Sequence, residues 1–221
     1  MRLTIAALAA TLGFLVLVWL GFWQLARLEW KEALLTRMDD RLAEAPGPLP
    51  AALEPEDDRF RAVRVEGRFE GEGAAVFGTW RGGGAGYRIV APFRTDAGRL
   101  ILVDRGIAAA PEAERRRPED RVAVEGNLDW PEPSGPAPED PGGVWTTREV
   151  ALLSGALGTE PTLLVARATS DPSGAVVPIP LDTAGIPNNH LAYAVQWFGL
   201  AAVWAGMAGY WFWRARRRGE G

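Results

Sequence analysis

Two long uncharged runs, Leu3 to Leu25 and Leu191 to Trp213, restrict the fold of this chain more than any other feature. As a helix rising 1.5 Å per residue, the first run spans roughly 34 Å, enough for a hydrocarbon core of about 30 Å. A cleaved signal peptide has an apolar core of only about 7–15 residues and a small-residue cleavage site. This run is longer and ends in Trp23, Gln24 and Leu25, so it reads as an uncleaved anchor. The expected division is a transmembrane helix over 3–25, an extracytoplasmic domain over 26–187 and a second transmembrane helix over 190–213.

The flanks set the orientation. Arg214, Arg216, Arg217 and Arg218 follow the second run, whereas Asn188, Asn189 and a proline-containing loop precede it. Basic flanks stay on the cytoplasmic side, so the second span ends inside and Arg2 lies inside as well. The intervening segment is acidic. Arg2 and the four C-terminal arginines leave 19 of 24 basic residues, and Glu220 leaves 27 of 28 acidic ones, a net of about −8. Such a charge argues against nucleic acid and against tight docking on anionic lipid, which leaves membrane lipid as a partner of the spans alone. No Arg- and Ser-rich transit peptide precedes the first run, so a bacterial inner membrane with a periplasmic domain is expected.

Leu28, Leu34, Leu35, Met38 and Leu42 continue a helical period past the first run until Pro46, Pro48 and Pro50. "EPEDD", residues 54 to 58, reads as a polar linker. The period then changes to two: in "VRVEGRFE", Val63, Val65 and Phe69 alternate with Arg64, Glu66, Arg68 and Glu70. Further strands are expected at Ala75–Trp80, Tyr87–Thr95, Arg99–Ile107, Arg121–Leu128, Val144–Thr147, Thr162–Thr169 and Ala175–Ile179. Asp96, Ala97 and Gly98 read as a hairpin turn. Residues 129 to 143 are too rich in proline for a strand, and 148 to 157 read as one short helix. The expected class is an α+β membrane protein whose two transmembrane helices flank an antiparallel β-rich sheet or partly closed barrel.

Composition removes several chemistries. Without cysteine there is no disulfide framework, thiolate zinc site or covalent c-type haem attachment. One histidine excludes a two-histidine metal site within a single chain. "RGGGAG", residues 81 to 86, lacks the Gly-Lys-Ser/Thr ending of a phosphate loop and reads as a hairpin connection. Asp57/Asp58 and Glu119/Asp120 read as solvated acidic loops, and Ser154, Ser170 and Ser173 have no histidine near them in sequence. Aromatic clusters at Trp19, Phe22, Trp23 and Trp30 and at Tyr210–Trp213 match interfacial belts. Ala201, Ala205 and Gly209, with Ala6 and Ala10, offer small faces for close helix approach.

His190 stands where a polar loop enters the second run. Asn188 or Asn189 is a good N-cap, which puts the imidazole in the first helical turn. The positive end of a helix disfavours a further positive charge, and neutral imidazole is the form that binds a metal. Tyr193 and Trp197 follow along the same stripe. The arrangement suits a flat apolar cofactor carrying a metal and an anionic edge; an interfacial histidine bonded to lipid headgroups is the competing reading.

"GFWQLARLEWKEALL", "GYRIVAPFRTDAGRLILVDRG" and "NNHLAYAVQWFGLA" resemble, in content and order, the surfeit-locus-one family of cytochrome oxidase assembly proteins. Asp104 stands where that family usually has asparagine. The resemblance implies a non-enzymatic factor that binds haem a and aids its insertion into subunit I of cytochrome c oxidase, with subunit I and haem a synthase as partners. It places the family's second-span histidine on His190 and its outer tryptophan on Trp23. Haem propionates need positive charge at that depth, and Arg27 and Lys31, four apart beyond Trp23 and Gln24, would supply it. Met207 lies about 25 Å deeper along the helix than His190, so a second axial ligand must come from water, the acceptor or another protomer, and a homodimer stays open. A scaffold that binds oxidase subunits without haem needs the same architecture. A membrane-tethered hydrolase needs a convergent polar cluster that the sequence does not display.

Overall fold

The computed structural model describes residues 2–80, 84–115, 118, 120–133, 135–136, 143–171, 174 and 176–219. Arg81, Gly82 and Gly83 of the glycine-rich stretch, Glu119, Ser173 and Ala175 fall outside the described residues. In chain order the elements are helix α1 (Arg2–Ala43), strand β1 (Gly47–Pro48), the short helix α2 (Pro55–Asp58), and strands β2 (Ala62–Phe69), β3 (Ala74–Trp80), β4 (Gly84–Thr95) and β5 (Leu100–Ala108). A 3-10 turn (Pro111–Arg115), β6 (Val122–Asp129), α3 (Val150–Leu157), β7 (Leu163–Thr169) and α4 (His190–Gly219) follow. The chain divides into two compact units, Met1–Arg37 with Ile186–Gly221, and Met38–Gly185.

In the second unit, β2, β6, β7, β5 and β4 are neighbours in that order, and β2 pairs again with β4, so the sheet closes into a barrel. Closure happens because β2 bonds β6 along its length and then turns its last residues, Gly67 to Phe69, onto Thr95 to Phe93 of β4. Gly67 permits this: a Cβ there would collide with the carbonyl of Arg94. The alternating apolar residues Val63, Val65, Phe93, Ile101, Val103, Val124 and Leu164 form one buried cluster that fills the barrel. A second cluster covers the outside of the β4–β5–β7 wall, where Val76, Val90, Leu102 and Val165 meet Trp145 and Leu153 of α3. Gly158, in the left-handed region at φ 67°, ends α3. The turn at Asp96 to Gly98 links β4 to β5 as a hairpin.

Four expectations need correction. The barrel is closed and mixed, because β7 lies parallel to β5, and β1 parallel to β2. A closed ring of five strands cannot alternate direction all the way round: β5 and β6 run in opposite directions, so β7 between them, antiparallel to β6, must lie parallel to β5. The segments at 144–147 and, among the described residues, 176–179 contribute single bridges, Val76 to Trp145 and Ile107 to Val177, instead of strands. "EPEDD" contains α2, whose Asp58 is buried: it accepts hydrogen bonds from the Glu54 amide at 2.9 Å and from Arg61 at 2.5 Å. Its companion Asp57 is exposed.

The last turn of α1, which belongs to the barrel unit, ends without a glycine. Its Leu42 carbonyl accepts instead from Asn127 at 3.3 Å and Arg167 at 3.2 Å, which satisfies a helix end that would otherwise be orphaned.

Candidate functional site

The other unit is a pair of helices long and apolar enough to cross a membrane. They pack through small residues, though not all of those expected. Ala201 is buried, as is Ala194, but Ala205 and Gly209 are exposed. Close approach occurs at two glycines of α1 instead. A Cβ on Gly21 would come within 2.6 Å of the Phe198 ring, and one on Gly13 within 2.9 Å of Trp204. Trp204 also donates its indole N–H to the Ala10 carbonyl at 2.8 Å. Phe198 meets Phe22 edge to face at 5.3 Å. Large apolar side chains pack onto glycines, so the contact is a knob on a flat patch rather than a continuous stripe of small residues.

This packing sets the register that matters for His190. The Asn189 carbonyl accepts the first helical bond, from the Tyr193 amide at 3.2 Å, so Asn189 is the N-cap and His190 the first helical residue. Opposite it on α1 is Gln24, whose Oε1 lies 2.8 Å from His190 Nδ1. With the Gln24 amide oxygen facing the ring, which can only accept, Nδ1–H donates and the lone pair lies on Nε2. A histidine whose second nitrogen is held in this way has a fixed tautomer and orientation, the usual setting of a metal-ligating imidazole. The neighbouring Asn188 Oδ1 is buried without a hydrogen-bond partner among the described residues.

The other expected site residues distribute around that pair. At about 100° per residue, Trp23 and Arg27 on α1 and Tyr193 and Trp197 on α4 turn to one side of the helix pair, away from Phe22 and Phe198. Trp23 and Tyr193 are each 49% exposed, and Trp197 is half-buried. Arg27 lays its guanidinium over the Trp30 ring at 3.9 Å, a cation–π contact that pins it to its own helix. Lys31 falls on the Gln24 stripe two turns further on, about 10 Å along the axis, and forms no ion pair among the described residues. Of the expected site residues, Gln24 and His190 are in direct contact, and helical spacing puts Trp23, Arg27, Tyr193 and Trp197 on one side of the helix pair.

The donor set is selective. Among the described residues, no group of three or more His, Cys, Asp or Glu could hold a metal ion. A metal held at His190 would therefore have to bring its other ligands with it. A macrocycle-bound iron meets that condition, and the exposed aromatic faces and bordering cations match its apolar plane and carboxylate edge.

A closed β-barrel domain inserted between two span-length apolar helices, with one imidazole oriented where those helices meet, is the architecture that these observations define. The chain belongs to the SURF1 family, whose model matches residues 11–202. It is similar to a SURF1-like protein of Drosophila melanogaster, 32% identical over 211 residues that cover 83% of this chain and 70% of the relative. A SURF1-like protein of Rickettsia bellii is 29% identical over 208 residues, 88% of this chain and 86% of the relative. The cytochrome oxidase assembly protein SHY1 of Saccharomyces cerevisiae is 37% identical over 93 residues, 40% of this chain and 24% of the relative.

Proposed function

We propose that this chain is an assembly factor for haem–copper cytochrome c oxidase, which holds haem a through His190 and aids its insertion into subunit I without itself catalysing a reaction. The observation that carries this reading is the His190–Gln24 hydrogen bond at 2.8 Å, which supports a neutral imidazole whose lone pair lies on Nε2. The yeast relative's designation as a cytochrome oxidase assembly protein supports the wider role. Gln24 orients the imidazole, Trp23, Tyr193 and Trp197 offer apolar surface beside it, and Arg27 and Lys31 offer cations to carboxylates. Haem a, when bound, supplies an iron that accepts one imidazole nitrogen. One protein ligand from each chain favours handing on over permanent holding.

The proposal includes a two-pass placement in a bacterial inner membrane. Leu3, Leu8, Leu12, Leu191, Val195, Val203 and Met207 are between 56% and 68% exposed, an apolar surface far larger than a soluble monomer carries. Lipid would cover it. With both termini cytoplasmic, a reporter active only in the cytoplasm should work when fused after Gly221 and fail at Pro138. Activity at Pro138 would overturn the topology.

The test aimed at the carrying observation is Gln24→Leu. Loss of an outer-shell partner commonly weakens metal binding about 10–100-fold. The variant, purified from cells that make haem a, should therefore show a correspondingly lower haem affinity. Unchanged affinity would show that the hydrogen bond does not serve a ligand.

A further inference from the structure

A second site lies on the outer wall of the barrel, in the other unit, and owes nothing to His190. Asp104 is fully buried there. Its Oδ1 accepts the Gly106 amide at 3.1 Å, and its Oδ2 accepts Arg148 at 2.9 Å and lies 3.3 Å from Arg88 Nε. One carboxylate thus faces two guanidiniums whose side chains are only 23% and 18% exposed. The cluster has a surplus positive charge that water reaches poorly. Burial holds the pKa of Arg88 below the ordinary arginine value, Asp104 pulls it back, and the Arg148 charge lowers it again. Arg88 Nε is buried and lacks a well-aligned acceptor.

Both arginines line a cavity of about 490 Å³, with Phe77, Thr79 and Leu181 among its walls. Asp182 stands exposed at its rim and pairs with neither arginine among the described residues. Gly78 and Gly86 face each other across the β3–β4 ladder, on the same side of the sheet as the pair Val76 and Arg88. The cavity floor is therefore bare backbone, and a Cβ on Gly78 would meet nothing within 4 Å. Paired glycines of this kind mark a strand surface that a ligand or another backbone approaches closely. Among the described residues the strand edge is unpaired at the same place. Ladder alternation turns the main-chain groups of Phe77 and Thr79 outward. The Phe77 amide donates to Trp145 at 2.8 Å, and the outward groups of Thr79 beyond it have no partner among the described residues.

We propose that this trough binds a carboxylate carried by an extended peptide segment of a partner polypeptide. One surplus cation calls for one negative charge; Arg88 also donates Nη2 to the Ile179 carbonyl at 3.1 Å, so a carboxylate is met by the donors that remain on the two guanidiniums. The outward main-chain groups of Thr79, without a partner among the described residues, give a peptide backbone its rungs, and the bare glycine floor gives it room. A chain-terminal carboxylate and an Asp or Glu side chain offer the same chemistry.

The full chain in detergent is titrated calorimetrically with four probes: acetyl-Val-Thr-Val with a free carboxylate, the same peptide amidated, amidated acetyl-Val-Asp-Val, and inorganic phosphate. At least one carboxylate-bearing peptide should bind saturably, about tenfold or more tighter than the neutral amide, the scale of a charged hydrogen bond. Whichever of the two binds identifies the source of the carboxylate. Arg148→Gln should weaken that binding by a similar factor. Gly78→Val keeps both cations and places its side chain in open space, so it should fold normally and still abolish binding by filling the trough. The proposal is overturned by equal binding of acid and amide, by binding of phosphate alone, by no saturable binding of either acidic peptide in the millimolar range, or by full binding to Gly78→Val.

Discussion

Asp104→Ala is expected to destabilise the barrel unit by about 3–5 kcal/mol, the cost of removing one partner from a buried ion pair. The substitution leaves the Arg88 and Arg148 guanidiniums facing each other in a site largely closed to water, and it strips the Gly106 amide of its acceptor. The missing side chain is small, so the loss comes from the unpaired cations and donor rather than from a cavity. Asp104→Asn separates the contributions. An amide oxygen can still accept from Gly106 or from Arg148, so this variant should lose only part of the stability. Urea unfolding of the full chain, followed by loss of the β-sheet circular dichroism, measures both. An Asp104→Ala midpoint equal to that of the parent protein would show that the arginines find other partners or water at no cost.

His190→Ala is expected to abolish stoichiometric haem a while leaving the fold intact. The ring is half-buried, sits in the first turn of α4 and touches Gln24 as its only hydrogen-bond partner among the described residues. Helix packing does not depend on it. The close contacts are deeper, at Gly21 with Phe198 and at Gly13 with Trp204. Truncation therefore removes a ligand atom without removing a packing element, and haem can be lost without unfolding. Gln24→Leu should lie between the parent and His190→Ala, because it leaves Nε2 present but frees the ring to turn.

The parts of this fold legible in the sequence are those that local chemistry dictates. Alternation at Val63, Val65 and Phe69 matches β2, and Asp96 to Gly98 make the β4–β5 turn because glycine there accepts a φ of 86°. Long-range closure was not legible. That Gly67 must be glycine follows only once β2 lies against Arg94, a contact that no local period announces. The parallel pairing of β7 with β5 depends in the same way on closure, since a ring of five strands must contain at least one parallel pair. Trp145 and Val177 look like strand residues because each sits in a short run rich in β-branched or aromatic residues, Val144 to Thr147 and Val176 to Ile179, yet each makes one bridge and then departs. At the candidate site, the sequence put Arg27 and Lys31 level with the start of the second run, with Trp23 and Gln24 just below them. The direct hydrogen bond between Gln24 and His190 needs the antiparallel register set by Gly21 and Phe198, which no single-chain pattern encodes. The Arg88–Asp104–Arg148 cluster escaped notice because its members lie in separate segments and each, taken alone, resembles a surface charge.

The claim that the oriented imidazole of His190 holds haem a is tested most directly by one comparison. The full chain and its His190→Ala variant are purified in detergent from cells that make haem a, and haem a per chain is read from the visible absorption spectrum. Circular dichroism confirms that both are folded. The parent protein should carry close to one haem a per chain with an imidazole-ligated iron spectrum, and the variant should carry essentially none. Haem-free parent protein, or equal haem in the two, would contradict the assignment and leave the chain as a scaffold that acts on the oxidase without carrying its cofactor.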